Sequence, residues 1–162
     1  MSKKGTVFDI PIGLTLIFIV AIAILVTSFS NNIIMDAFAN STTTNQSTHL
    51  VQTKMRATFD TFNYGFLIAF IGMWITICIL AYFSDYSPMF FILSIVVILI
   101  SVFYSFFLAN AFWEFIQSSS TFQALAEQFW VITHLMKNLP FYTTGFGFLV
   151  AFVTYMGKRG NW

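Results

Sequence analysis

The residues that could support catalysis or metal binding are few, and they lie outside the apolar segments of the chain. The two histidines, His49 and His134, both lie outside the predicted spans, whereas a haem-binding bundle needs axial ligands on facing helices. Glu114, Glu127 and His134 are a conceivable ligand set for a metal ion. Their spacing matches no ligand motif, and exposed polar side chains of a surface helix explain them more simply. We therefore predict no catalytic residue, no cofactor, no metal site and no small-molecule substrate.

Motifs that bind phosphate or activate a nucleophile are missing from the sequence as well. It has no glycine-rich phosphate loop, no nucleophile elbow and no Cys-x-x-Cys pair, and its single cysteine, Cys78, cannot form an internal disulfide. Gly145 and Gly147 lie in an apolar run, which favours packing or bending. Carriers and pumps usually hold an ionisable residue at mid-membrane, but every charged residue here lies at the edge of an apolar segment or outside it.

The composition indicates an integral membrane protein. Of the 162 residues, 58% are hydrophobic, 20% are aromatic and 8% are charged, whereas soluble domains contain about 25% charged residues. The mean hydropathy of +0.82 exceeds what a soluble fold of this size can bury. A net charge of +1 excludes nucleic-acid binding through a broad basic face. We expect an all-α fold in one membrane domain over residues 1–162.

Four intervals without charge predict four transmembrane helices. Each interval holds at least 20 residues, and about 20 helical residues cross the hydrocarbon layer. Backbone groups in lipid must be hydrogen-bonded within the segment, which favours helix over strand. Pro11, Pro88 and Pro140 all lie at the start of a predicted span, where a missing N–H costs little, and Trp74 falls mid-span, as a packing residue. The predicted spans are residues 12–29, 63–83, 88–113 and 141–155.

The first span has features of a secretory signal peptide, with Lys3 and Lys4 before it and Ala37-Phe38-Ala39 after it. Its apolar run of 18 residues exceeds the usual length of about 7–15, so we expect an uncleaved anchor. With four spans both termini lie on one side of the membrane, and we expect basic contacts there. That side has one basic residue more than the other side, which favours a cytoplasmic location. Its basic residues are Lys3, Lys4, Lys158 and Arg159.

Two longer connections separate the spans. Residues 40–48 form a polar loop without an apolar anchor, and helical spacing beyond it predicts that the second helix starts near Thr48 and projects from the bilayer. Between the third and fourth spans, a capping box at Ser120 and Gln123 opens an amphipathic helix over residues 121–137. This helix either lies on the membrane surface or packs over the end of the bundle. Its apolar stripe is Phe122, Leu125, Phe129, Ile132 and Met136.

Small residues recur at helical spacing in the second and third spans. Such faces let helix backbones approach closely in a membrane. The short turn at residues 84–87 predicts that these two spans form an antiparallel hairpin, so the small residues either pack that hairpin or contact neighbouring subunits. The face on the second span is Gly65, Ala69, Gly72 and Thr76, and the looser strip on the third is Ser94, Ser101, Ser105 and Ala109.

The last third of the chain resembles a family of small multi-span membrane proteins from tailless icosahedral phages with an internal lipid membrane. The resemblance is carried by the order of five segments: Leu108–Glu114, Ser118–Ser120, the 124–129 helix, His134–Pro140 and Lys158-Arg159-Gly160. It implies a virion protein that stiffens the internal membrane or links it to the capsid shell. It also implies residence in the host cytoplasmic membrane during assembly.

These observations give three hypotheses about function. The first is a non-enzymatic structural membrane protein of a large assembly, in particular a phage virion, with the lipid bilayer and other membrane or shell proteins as its partners. The second is an accessory subunit of a multi-subunit membrane enzyme. The third is a holin-like pore former, for which the amphipathic helix would line or trigger a lesion.

Overall fold

The computed structural model describes residues 9–39, 47–83 and 88–159, and within these ranges the chain is helical and has no strand. Three long helices follow one another, and two short helices then lead to a fourth long helix. The helices are α1 (Asp9–Ala39), α2 (Ser47–Tyr82), α3 (Pro88–Gln117), α4 (Ser120–Gln128), α5 (Trp130–Lys137) and α6 (Leu139–Arg159).

Four of these helices are long and apolar enough to cross a membrane, which confirms the all-α fold class. Their candidate spans are Asp9–Ile34, Thr61–Tyr82, Phe91–Gln117 and Leu139–Met156. The helix α2 has 36 residues, about 54 Å, which is longer than a hydrocarbon layer of about 30 Å. Its N-terminal part therefore extends beyond the span. Residues 40–46 of the predicted polar loop lie outside the described residues, and Ser47 and Thr48 already belong to α2.

The four spans form a ring in the order α1, α2, α6, α3. The most extensive packing is between α3 and α6, and α6 also packs on α2, while α1 packs on α2 and α3. Within the described residues α2 and α3 are therefore diagonal neighbours, and the expectation that they pack as a hairpin is wrong. The reason is that α6 fits between them, with an aromatic side towards α2 and a close backbone approach towards α3.

An aromatic cluster holds α6 against α2. Trp74 is completely buried, and its ring stacks on Phe146 with centroids 4.9 Å apart and planes at 11°. Phe70 lies edge-on to Trp74, Tyr142 and Phe146. Each favourable aromatic pair adds about 0.5–1.5 kcal/mol beyond area burial. The cluster thus gives α6 a specific rotation about its own axis in the ring.

Two glycines lie where helices approach closely. A Cβ on Gly147 would lie 2.7 Å from Cγ2 of Ile98, and a Cβ on Gly13 would lie 2.7 Å from Sδ of Met73. Real Cβ atoms do not approach other atoms this closely, so any larger residue would force α3 from α6, or displace the Met73 side chain from α1. The structure thus places Gly147 at a packing contact, while Gly145 has open space around it.

The segment predicted as one amphipathic helix is two helices that lie across one end of the ring. The helix α4 packs on α1 and α3, and α5 contacts all four spans. The break is at Phe129 (φ −94°, ψ 50°), which ends α4 and precedes α5. Phe129 is fully buried, so a break there turns both helices towards the bundle. Together α4 and α5 are called the cap below.

The ends of the cap are fixed by short polar contacts. The N-cap of α4 is Ser119 and not Ser120, because Ser119 has extended backbone angles and its hydroxyl accepts from the N–H of Thr121 at 3.3 Å. At the other end only Asn138 separates α5 from α6. Its side-chain amide donates to the carbonyl of His134 at 2.9 Å, and its own carbonyl accepts from Phe141 and Tyr142 in the first turn of α6.

Candidate functional site

The apolar stripe of the cap faces the bundle. Leu125, Phe129, Ile132 and Met136 are buried, and Phe122 is partly buried with its ring 4.9 Å from that of Phe29 and 4.6 Å from that of Phe115. This is the arrangement of a helix packed over the end of the bundle. The break at Phe129 divides this stripe between two short helices, α4 and α5. The location of the cap relative to the membrane surface stays a prediction.

A buried asparagine connects the cap to α2. Asn63 is 2% exposed, and its Oδ1 accepts a hydrogen bond from the backbone N–H of Ile132 at 3.3 Å. The N-cap residue of α5, Phe129, has no side chain that can accept such a bond. Asn63 therefore satisfies one of the unpaired N–H groups at the start of α5. Within the cap, Thr133 links α5 to α4, because its hydroxyl donates to the carbonyl of Ala126 at 2.9 Å.

Sequence reasoning missed the role of Asn63, although a signal was present. Asn63, Phe66, Phe70 and Trp74 follow steps of three, four and four, and all four are buried. An asparagine in register with the buried face of a span must find a hydrogen-bond partner. The depth of a residue in the membrane does not reveal this role, because the direction of the side chain decides whether it is buried.

A cleft of about 570 Å³ lies between the cap and the end of α3. Its wall includes the cation of Lys137 and the carboxylate of Glu127. The ammonium of Lys137 lies 4.9 Å from the centroid of the Trp113 ring, which is a cation–π contact. Glu127 and His134 line the same cleft. The full lining is Trp113, Ile116, Gln117, Gln123, Ala126, Glu127, Trp130, Thr133, His134 and Lys137.

The conceivable metal set is only partly brought together. Glu114 does not line the cleft, and its Oε1 accepts from the side-chain amide of Asn110 at 2.8 Å. Among the described residues there is no group of three or more His, Cys, Asp and Glu residues that could hold a metal ion.

The small-residue face of α2 points away from the ring. Gly65, Ala69 and Thr76 are exposed and Gly72 is half-buried, and a Cβ at Gly65 or Gly72 would meet no atom within 4 Å. The Thr76 hydroxyl donates to the carbonyl of Gly72 at 2.8 Å, so it adds no polar group that needs an external partner. Among the described residues this face does not pack against α3, and its contact with neighbouring subunits stays a prediction.

The strip on α3 lies inside the ring. Ser94, Ser101 and Ser105 are buried and Ala109 is half-buried. The hydroxyls of Ser101 and Ser105 donate to the carbonyls of Val97 and Val102 at 2.8 and 2.7 Å. Because both hydroxyls are paired within α3, these two serines need no polar partner on α6, and the small side chains of the strip allow close packing with that helix. The facing helix also buries small and β-branched residues: Thr143, Gly147, Val150 and Thr154.

Of the terminal basic residues, Lys3 and Lys4 lie outside the described residues, and Lys158 and Arg159 are in the last turn of α6. Together, the fold and these surfaces define a four-helix membrane bundle with a two-helix cap over one end. No protein-family model, curated protein or solved structure matches the chain.

Proposed function

We propose that this protein is a structural component of a larger membrane assembly, in which its bundle associates with a neighbouring transmembrane helix through the outer face of α2. The observation that carries the proposal is the outward direction of Gly65, Ala69, Gly72 and Thr76, with no atom of the described chain over the two glycines. Helices in lipid associate through such faces because backbones can approach closely there.

Two further features support this proposal. The large exposed side chains of Ile68, Ile75 and Ile79 lie on the same helix as the small residues, so a ridge borders a shallow groove. In addition, the core of the ring is filled by its own aromatic cluster and by the close α3–α6 contact. The outer face of α2 is therefore not needed for internal packing.

The experiment is photo-crosslinking in the membrane of the producing cell, with a photoreactive amino acid at position 69. A matched control carries the same amino acid at Phe103 of α3, which is 76% exposed. The expected result is a protein adduct at position 69 and only lipid adducts at position 103. Lipid adducts alone at position 69 would contradict the proposal, because the face would then be a lipid contact.

The finer proposal is that the assembly is a phage virion with an internal membrane, where the protein organises the bilayer or links it to the capsid. This step rests on the resemblance of the C-terminal third. The cap supports it, because a rigid two-helix layer over one end of the bundle offers a fixed polar surface, with Gln123, Glu127, Gln128 and Lys137 exposed. The mass of the partner crosslinked at position 69 also discriminates: a cofactor-bearing enzyme subunit would favour the accessory-subunit hypothesis instead.

A further inference from the structure

The cleft beside the cap lies at the level where two spans end. Trp113 belongs to the last turns of the Phe91–Gln117 span, and the Leu139–Met156 span begins two residues after Lys137. Tryptophan is enriched at the membrane–water interface, where its ring sits among lipid headgroups. The exposed Phe141, in the first turn of α6, fits the same depth. These positions place the cleft at the depth of the headgroup layer.

Its walls carry charges of both signs on different helices. Lys137 is at the end of α5 and Glu127 is near the end of α4, and both are exposed. The amides of Gln117 and Gln123 also line the cleft and supply neutral donors and acceptors, and Trp130 adds a second indole ring. Ile116 and Ala126 add an apolar part. A complementary ligand has an anionic group, a cationic group and an apolar end.

We propose that this cleft binds the headgroup of a zwitterionic phospholipid with a primary ammonium, of the phosphatidylethanolamine type. The phosphate pairs with Lys137, whose position is fixed by Trp113, and the ammonium donates to the Glu127 carboxylate, while the Trp130 ring faces the ligand. Charge-assisted hydrogen bonds are the stronger kind. A quaternary ammonium has no N–H to donate to Glu127. The volume of about 570 Å³ lies within the usual range of ligand sites, about 300–1,000 Å³.

The test uses the full-length protein in nanodiscs that contain equal amounts of phosphatidylethanolamine, phosphatidylcholine and phosphatidylglycerol. After gentle extraction into detergent, native mass spectrometry identifies the lipid that stays bound. We expect phosphatidylethanolamine. Lys137→Gln should lower its retention by about fivefold or more, as expected for the loss of a charge-assisted bond. The matched control is Lys54→Gln, because Lys54 is exposed on α2 and does not line the cleft.

A second variant keeps the proposal testable if Lys137→Gln alters the cap. Glu127→Gln is nearly isosteric and should abolish the preference for the ethanolamine over the choline lipid, while overall retention falls less. Retention that is equal for the three lipids, a preference for phosphatidylglycerol, or unchanged retention in Lys137→Gln would overturn the proposal. Displacement of the lipid by excess inorganic phosphate would also overturn it, because the site would then be a free-phosphate site. This inference does not depend on the proposed function, so either can fail alone.

Discussion

The side-chain carbonyl of Asn63 in α2 accepts the backbone N–H of Ile132 in α5 at 3.3 Å. This bond joins residues 69 positions apart and gives α5 an N-terminal partner that its own sequence lacks. It also fixes the cap to a transmembrane helix at a buried position. Asn63 therefore adds a directional contact to the apolar packing that orients the cap, and with it the cleft.

Replacing Asn63 by leucine should destabilise the protein by about 1–3 kcal/mol, since a buried N–H without a partner costs that much. The measurement is thermal unfolding in detergent, with hydrogen exchange at the Ile132 amide as a local readout. Asn110→Leu is the control, because Asn110 is exposed and its amide bonds Glu114 within the same helix. Equal stability and equal exchange in the two variants would contradict the assigned role of Asn63.

Gly147→Ala should destabilise the α3–α6 contact by about 1–3 kcal/mol, the usual cost of overpacking. The added Cβ would lie 2.7 Å from Cγ2 of Ile98, and the second substitution Ile98→Ala removes that atom and should restore part of the stability. Gly145→Ala, where the space is open, should be neutral or slightly stabilising. The unfolding midpoints of the unaltered protein, the two single variants and the double variant check this. A neutral Gly147→Ala would show that α3 and α6 are farther apart than the structure places them.

Gly72→Leu should leave the fold of the isolated protein intact and abolish its assembly. The reason is that the added side chain meets no atom of the described chain near its Cβ, but it fills the groove that a neighbouring helix would enter. Unfolding in detergent reports on the fold, and co-purification of partners from the producing cell reports on assembly. Normal assembly in Gly72→Leu would count against the outer face of α2 as the interface.

The hydroxyl groups of Thr15 in α1 and Tyr104 in α3 are 3.0 Å apart, and this pair should contribute a coupling energy of about 0.5–1.5 kcal/mol. A double-mutant cycle with Thr15→Val and Tyr104→Phe measures it from unfolding free energies. Thr15 also donates to the carbonyl of Pro11 at 2.8 Å, so Tyr104 is expected to donate in the pair. Additive effects of the two substitutions would show that the bond does not form.

The sequence predicted the spans well because the bilayer imposes a length and excludes charge. The charge-free intervals mark where helices can cross; they run from Asp9 to Asp36, from Asp60 to Asp85, from Asp85 to Glu114 and from Lys137 to Lys158. The lateral order of the spans was not predictable in the same way. It depends on which faces fit, and the fit of Gly147 against Ile98 and of Trp74 against Phe146 decides that α6 lies between α2 and α3.

The candidate site was predicted only in part. The stripe from Phe122 to Met136 was correctly read as one apolar face, because helical periodicity carries nearly across the break. The break at Phe129 could not be predicted from the sequence, because phenylalanine does not usually end a helix. In the structure the Phe129 side chain is buried in the bundle at this break. The cleft brings Trp113 of α3 next to Lys137 of α5. These residues are too far apart in sequence for helical periodicity to predict their contact.

The most direct test of the structural role is sedimentation of native source material in a density gradient without detergent, with this chain followed by mass spectrometry. We expect the chain in one sharp band that also holds nucleic acid and an abundant shell protein. The copy number in that band would then separate a lattice role from a role at the vertices. Migration with ordinary membrane vesicles, free of nucleic acid and shell protein, would contradict the virion account.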